Sequence, residues 1–390
     1  MRLTGLPLEL GAYPAETRPN PQFPSGIGAP FERFYLPRVL ESLIDREPVD
    51  RREFIEDDNR GAILPDPIAT LDGMPFYLSV KGIGAAVSPY SWRALDRVHG
   101  AELARDATVR ERFSRPGPEG VERLITGELW LRGSPYGGQG LEHAETALRI
   151  SERADLTTIH GFRIAPVVRI AFLPPDLEER LRSIYWYRQY RGRIVQELRL
   201  VPSNVRIYFH ARHTIGNQVQ HVFDLFRIDS NERALAFEVR FVRSTMAMLT
   251  LFARTLDPSG TEGRYRGLDF HDVWLDKDAV VAPDGTVFFV DLEGIEPVEV
   301  ERARVRETIE DQVYRSLYEL TFAYEQIEEE RIRRFGGRVA RQAQFEAILT
   351  EALREDPFLR LVESGGRLEF EIRNNCQEGS LYTRFQAVDR

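Results

Sequence analysis

Cysteine is almost missing from this chain: Cys376 is the only one among 390 residues. An intrachain disulfide is therefore excluded, and so is a zinc site built from several cysteines. Long apolar runs are missing too. No stretch approaches the roughly 20 residues that a membrane-spanning helix requires, so no membrane partner is expected. Positive charge is in deficit, with 52 Lys and Arg against 61 Asp and Glu and a formal net charge of −9. That balance argues against a general nucleic-acid binder, because phosphate backbones repel an acidic surface at distance. The opening Met1-Arg2-Leu3-Thr4 is short and polar, and Pro7, Pro14, Pro19 and Pro21 interrupt the residues after it. It does not read as a secretory leader, and the expected location is cytoplasmic.

Lysine is scarce as well. It occurs only at Lys81 and Lys277, and every other basic residue is arginine. A coding preference for arginine accounts for the bias. Under such a preference a retained lysine draws attention, because a compact ammonium on a thin stem fits where a planar guanidinium does not.

Apolar residues are ample for a core, at 42% of the chain. Residues 1–50 read as a proline- and glycine-rich N-terminal extension with a short helix near Phe31–Ile44. From Gly61 to Val80 the pattern predicts two strands joined at Asp72-Gly73, the second ending at Lys81, Gly82 and Gly84. A charged helical insertion is expected within 91–130. The turn Gly137-Gly138-Gln139-Gly140 then leads into a helix from Leu141. It is read either as a phosphate cradle or as a plain turn. Further strands are expected at Arg163–Leu173 and Leu198–Phe209, a long buried helix at Glu232–Leu256 and a second long helix at Val300–Phe335. Gly336-Gly337 marks a break before a helix and a hairpin pairing Arg367–Arg373 with Ser380–Val388. The whole reads as α+β in two lobes. A small β-rich N-lobe over 51–210 precedes a mainly helical C-lobe over 211–335, and 336–390 is a C-terminal α/β addition.

Residues 271–294 carry the chemistry. His271 opens a loop, Asp278 leads directly into a strand, and Pro283-Asp284-Gly285 turns the chain. A second apolar strand then delivers Asp291, three residues ahead of Gly294. A hairpin brings the start of one strand beside the end of the other, so Asp278 and Asp291 can meet at one Mg²⁺. Kinase-type sites need few protein parts: a strand lysine, a helix glutamate that holds it, and two metal ligands.

The segments Arg60-Gly61-Ala62-Ile63-Leu64, Leu71-Asp72-Gly73, Phe76–Gly84 and Ser88-Pro89-Tyr90 resemble the N-lobe of the SelO family, kinase-like protein adenylyltransferases. Val201–Phe209 and His271–Gly294 are similar to later stretches of that family, in the same order. The resemblance implies a protein-kinase-like fold using ATP with Mg²⁺ (or Mn²⁺) to move AMP onto a protein hydroxyl. It also implies that Lys81 holds nucleotide phosphates beside Gly82 and Gly84, that Glu142 pairs with Lys81, and that Arg206 meets a phosphate. Glu145, one helical turn on, is the alternative to Glu142.

Several positions depart from the family. Its loop metal ligand is asparagine, and here Asp278 stands there. Its likely base position is taken by Lys277, which leaves Asp276 and Asp272 as candidate bases, Asp276 ahead. Glu293 is a possible further ligand or an exposed residue, and His271 is read as bracing the loop. A zinc reading of His210, His213 and His221 lacks a ligand pattern. The expected acceptor is a protein or a small molecule. The alternatives to AMP transfer are phosphoryl transfer and a catalytically silent nucleotide-binding scaffold, the last because Val273 occupies the position where ordinary kinases keep their base.

Overall fold

Gly73, at φ 80°, turns the chain between its first two long strands, at a backbone angle that L side chains rarely adopt. The computed structural model describes residues 2–3, 17–23, 55–57, 61–71, 73–81, 139–153, 163–173, 175, 178–179, 192–203, 205, 222–223, 226–257, 263–270, 275, 278–337, 341–373 and 383–386. The expected helix at Phe31–Ile44 and the insertion at 91–130 lie outside them.

The described chain forms a mixed α+β architecture in two compact units. Among its described residues the first holds an eight-stranded, wholly antiparallel sheet and the helix that packs on it. Its strands are β1 (Arg2–Leu3), β2 (Thr17–Pro19), β3 (Ile55–Asp57), β4 (Gly61–Leu71), β5 (Met74–Lys81), β6 (Gln139–Gly140), β7 (Val167–Phe172) and β8 (Ile194–Val201). The sheet runs β1-β4-β5-β8-β7-β2, with β3 also on β4 and β6 also on β8. Helix α1 (Leu141–Ser151) buries Ala144, Ala147, Leu148 and Ile150 and packs on β7 and β8. Three-and-four spacing puts these apolar residues on one stripe. The Ser151 hydroxyl accepts from the Val167 N–H at 2.8 Å and so ties the helix end to the next strand.

All eight residues of β8 are buried, so both faces of this central strand are covered. Sequence patterning expects this strand at Leu198–Phe209, and it begins four residues earlier. Gln196 and Glu197 break the apolar run and mask the earlier start. Of the segment after Val201, Val205 is described in the second unit, where its carbonyl accepts from the Val281 N–H at 2.8 Å.

The second unit holds α2 (Asn231–Leu249), α3 (Leu251–Thr255), β9 (Arg264–Asp269), β10 (Ala279–Val281), β11 (Val287–Phe289), β12 (Glu296–Glu301), α4 (Val305–Phe335), α5 (Arg341–Leu353), β13 (Leu359–Ser364), β14 (Arg367–Ile372) and β15 (Thr383–Gln386). Ser230 caps α2 by accepting from the Arg233 N–H at 3.3 Å. The helix expected over Glu232–Leu256 is broken at Thr250, whose φ of −104° and ψ of 14° leave the helical region. Its hydroxyl bonds back to the Met246 carbonyl at 3.1 Å.

The helix expected from Val300 starts at Val305 instead. In Glu296–Glu301 the half-buried Val298 and Val300 alternate with the exposed Pro297, Glu299 and Glu301, a period of two that suits a strand, and the segment pairs with β9. The expected pairing of the last two strands is present as β14 with β15, and β13 adds to the other side of β14. Gly336 and Gly337, at φ 77° and 134°, end α4 as the sequence predicts.

Two buried ionic groups brace this unit. Between α2 and α4, Arg331 Nε donates to Glu238 Oε1 at 2.6 Å, with Glu328 and Tyr324 also on α4 around that carboxyl. Burial pushes Glu238 up to about 7 against the opposing pull of Arg331, and burial likewise raises the Tyr324 hydroxyl. Between α3 and the start of β13, Arg254 NH2 meets Asp356 Oδ2 at 2.7 Å with both side chains fully buried.

Candidate functional site

Strands β10 and β11 pair in the register Ala279↔Phe289, Val280↔Phe288 and Val281↔Val287. The turn between them works because Gly285 sits at φ 92° and lies hard against the Phe237 backbone of α2. The ladder continues one step past the strands, where the Val290 N–H donates to the Asp278 carbonyl at 2.8 Å. Asp278 and Asp291 therefore flank the same open end of one hairpin. Asp278 is buried and Asp291 is half-buried. A one-turn 3₁₀ segment, Leu292–Gly294, comes directly after, and the Gly294 N–H turns back to the Asp291 carbonyl at 3.3 Å. Glu293 is half-buried within that turn.

A pair of carboxylates in this position can hold a Mg²⁺ whose other places are filled by phosphate oxygens and water. It is not a closed protein cage. Among the described residues no group of three or more His, Cys, Asp or Glu side chains could hold a metal ion.

In the first unit, Lys81 is the last residue of β5 and is only 7% exposed. The glutamate expected to hold it, Glu142, lies in the first turn of α1 and is exposed. No side-chain hydrogen bond or ion pair involves its carboxylate among the described residues. The alternative, Glu145, pairs with Arg18 at 2.5 Å. Opposite Lys81 in the β5–β8 register stands Glu197. Residues directly opposite in an antiparallel pair point to the same face with Cβ atoms about 5 Å apart.

Glu197 is fully buried. Its Oε2 accepts from Gln139 Nε2 at 3.2 Å, and its Oε1 lies 3.2 Å from Arg199 NH2. Glu197 is not among the residues expected from the sequence, because the partner sought for Lys81 is a helix glutamate. The available signal is a glutamate and an arginine two apart inside an apolar strand rich in leucine and valine. Such residues are rarely buried without a partner.

Of the glycine turn before α1, Gln139 and Gly140 are described. Gln139 and Gly140 form β6 on Val195 and Ile194, and the Leu141 N–H donates to the Arg193 carbonyl at 3.1 Å. Gly82, Gly84, Arg206, Asp272 and Asp276 lie outside the described residues, as do His271 and Lys277. Among the described residues no helix is long and apolar enough to cross a membrane. Comparison with protein-family models, with curated proteins and with solved structures found no match.

Proposed function

We propose that this chain is an ATP- and Mg²⁺-dependent transferase of kinase-like, two-lobed fold, with SelO-like transfer of AMP to a protein hydroxyl as its specific activity. The observation that carries the proposal is the β10–β11 hairpin, which sets Asp278 and Asp291 at one open end. Paired carboxylates there are the protein's share of a metal–phosphate site. The first unit supports the same reading. Its lysine ends the third of three successive antiparallel strands, β3, β4 and β5, and the next long elements are a helix and two more strands, the second of which pairs with the lysine strand. Kinases likewise keep their phosphate lysine on a third strand and place a helix after it. After β8 the described chain resumes at Val205 in the second unit, which also holds the earlier residues 163–164.

In this reading Asp278 and Asp291 hold the cation, which neutralises charge on the triphosphate when bound. Lys81 is the first unit's candidate for holding phosphate oxygens. The acceptor oxygen attacks the α-phosphorus, the bond to the bridging oxygen breaks, and pyrophosphate leaves. Asp276 or Asp272 takes the hydroxyl proton.

ATP labelled separately on its α- and γ-phosphates tests the mode of transfer. Retention of only the α-label on protein is the expected result, and Asp291→Ala should abolish it. Transfer of only the γ-label would replace AMP transfer by phosphoryl transfer. Mg·ATP-dependent thermal stabilisation without any turnover would favour a silent scaffold, a reading motivated by Val273.

A further inference from the structure

An isolated hairpin leaves the outward N–H groups of both strands without a neighbouring strand to accept them. In β10–β11 three such groups are taken up from outside the hairpin. The Val281 N–H donates to the Val205 carbonyl at 2.8 Å, the Phe289 N–H to the Arg163 carbonyl at 3.2 Å, and the Val287 N–H to the Ser244 hydroxyl of α2 at 3.0 Å. Of these acceptors only Ser244 is a side chain, so only there can a substitution remove the bond. The same hydroxyl donates to the Arg240 carbonyl at 2.9 Å, which commits its proton within the helix and leaves its lone pairs for β11. Ser244 and Val287 are both buried, where solvent does not rescue an N–H that loses its acceptor. Three-and-four spacing puts Phe237 and Arg240 on the same stripe of α2. The Phe237 carbonyl lies hard against Gly285, and Arg240 NH1 meets Asp284 Oδ2 at 3.1 Å. Helix α2 thus touches the hairpin at Asp284, Gly285 and Val287.

We infer that Ser244 is a positioning residue for the Asp278–Asp291 pair: its hydroxyl holds the outer edge of β11 and so fixes where that strand delivers its aspartate to a divalent cation. The inference rests on the metal-site reading of the two carboxylates and names a contact outside the hairpin that sets them. The hairpin's own ladder aligns one strand with the other, but β10 and β11 are only three residues each. A two-stranded ribbon that short does not hold its place alone, so its anchoring comes from its neighbours. The Arg240–Asp284 pair is exposed on the Arg240 side and contributes little. The buried hydroxyl is the stronger polar tie between α2 and the hairpin.

Thr255 of α3 supplies the control. Its hydroxyl makes the same two bonds on a different strand, donating to the Leu251 carbonyl and accepting from the Leu268 N–H of β9, both at 2.8 Å. Calorimetric titration of the full chain with Mg·ATP and, separately, with adenosine tests the inference. Ser244→Ala should weaken Mg·ATP about tenfold, the scale of one buried donor left unsatisfied, and leave adenosine unchanged. Ser244→Cys keeps the size with a weaker acceptor and should recover part of that loss. Thr255→Val and Arg240→Ala should each stay within about twofold of wild type for both ligands. A Ser244 that serves stability alone would weaken adenosine as much as Mg·ATP, or be matched by Thr255→Val, and either result overturns the inference. If Ser244→Ala fails to fold, Ser244→Cys carries the test, with a loss confined to Mg·ATP. Weakening of Mg·ATP by Asp291→Ala with none from either Ser244 variant overturns this inference alone. Absence of Mg·ATP binding by the wild-type chain overturns it together with the proposed function.

Discussion

A methyl group at Gly285 has nowhere to go. The glycine lies at φ 92°, and a Cβ would press into the carbonyl oxygen of Phe237, backbone that a rotamer change does not move. Gly73 makes a control, at φ 80° with nothing within 4 Å of its Cβ position. Gly285→Ala is expected to cost roughly 2–5 kcal/mol from strain and overpacking together, and Gly73→Ala about 1–2 from strain alone. Urea melts of both variants measure the difference, and equal losses would contradict the packing account. The turn chemistry at both glycines was legible in the sequence, as were Asp278 and Asp291 as neighbours, because a hairpin's geometry comes from its turn. Glu197 was not legible. Its place opposite Lys81 comes from the register of β5 against β8, and register is a long-range property that a linear pattern does not display.

Elements in the second unit are pinned by a few buried charges. Arg254 of α3 lies over the Phe358 ring at 4.9 Å, bonds Thr250 at 2.6 Å and reaches Asp356. Asp356 in turn accepts from the Phe358 and Leu359 N–H groups at 2.9 and 3.0 Å, starting β13. Asp356→Ala strands a buried guanidinium and unties that start, so a loss of about 3–5 kcal/mol is expected. Pairing Arg254→Met with Asp356→Leu should recover much of it. A chemical-denaturation double-mutant cycle gives the coupling, and additive losses would show that the pair does not act as one. The long helices, the α4 terminus at Gly336 and the β14–β15 pairing were legible from periodicity and glycine placement. Strands β9, β12 and β13 and the break at Thr250 were not, because each depends on a partner distant in sequence.

At the scale of the whole molecule, Glu238 shapes the stability curve. Its carboxyl sits at about 7 in the folded chain against an ordinary 4.5, raised by burial. Below 4.5 the proton is bound in both states. Above that the unfolded chain releases it first, so Glu238's stabilising share declines as pH rises and is gone once the folded group itself ionises near 7. The full swing is on the order of 3 kcal/mol. Glu238→Gln keeps a neutral acceptor for Arg331 and should remove that share of the slope. Melts at pH 5, 6, 7 and 8 are expected to show wild type losing ground to the variant as pH rises. Parallel curves would contradict a buried proton there.

The β5–β8 ladder also constrains how this chain can tolerate changes in length. Extra residues between elements cost little, growing only with the logarithm of loop size. Inside β8, parity governs: inserting one residue ahead of Glu197 would turn the carboxylate to the opposite face and present a different neighbour to the lysine, whereas an insertion of two would preserve the facing.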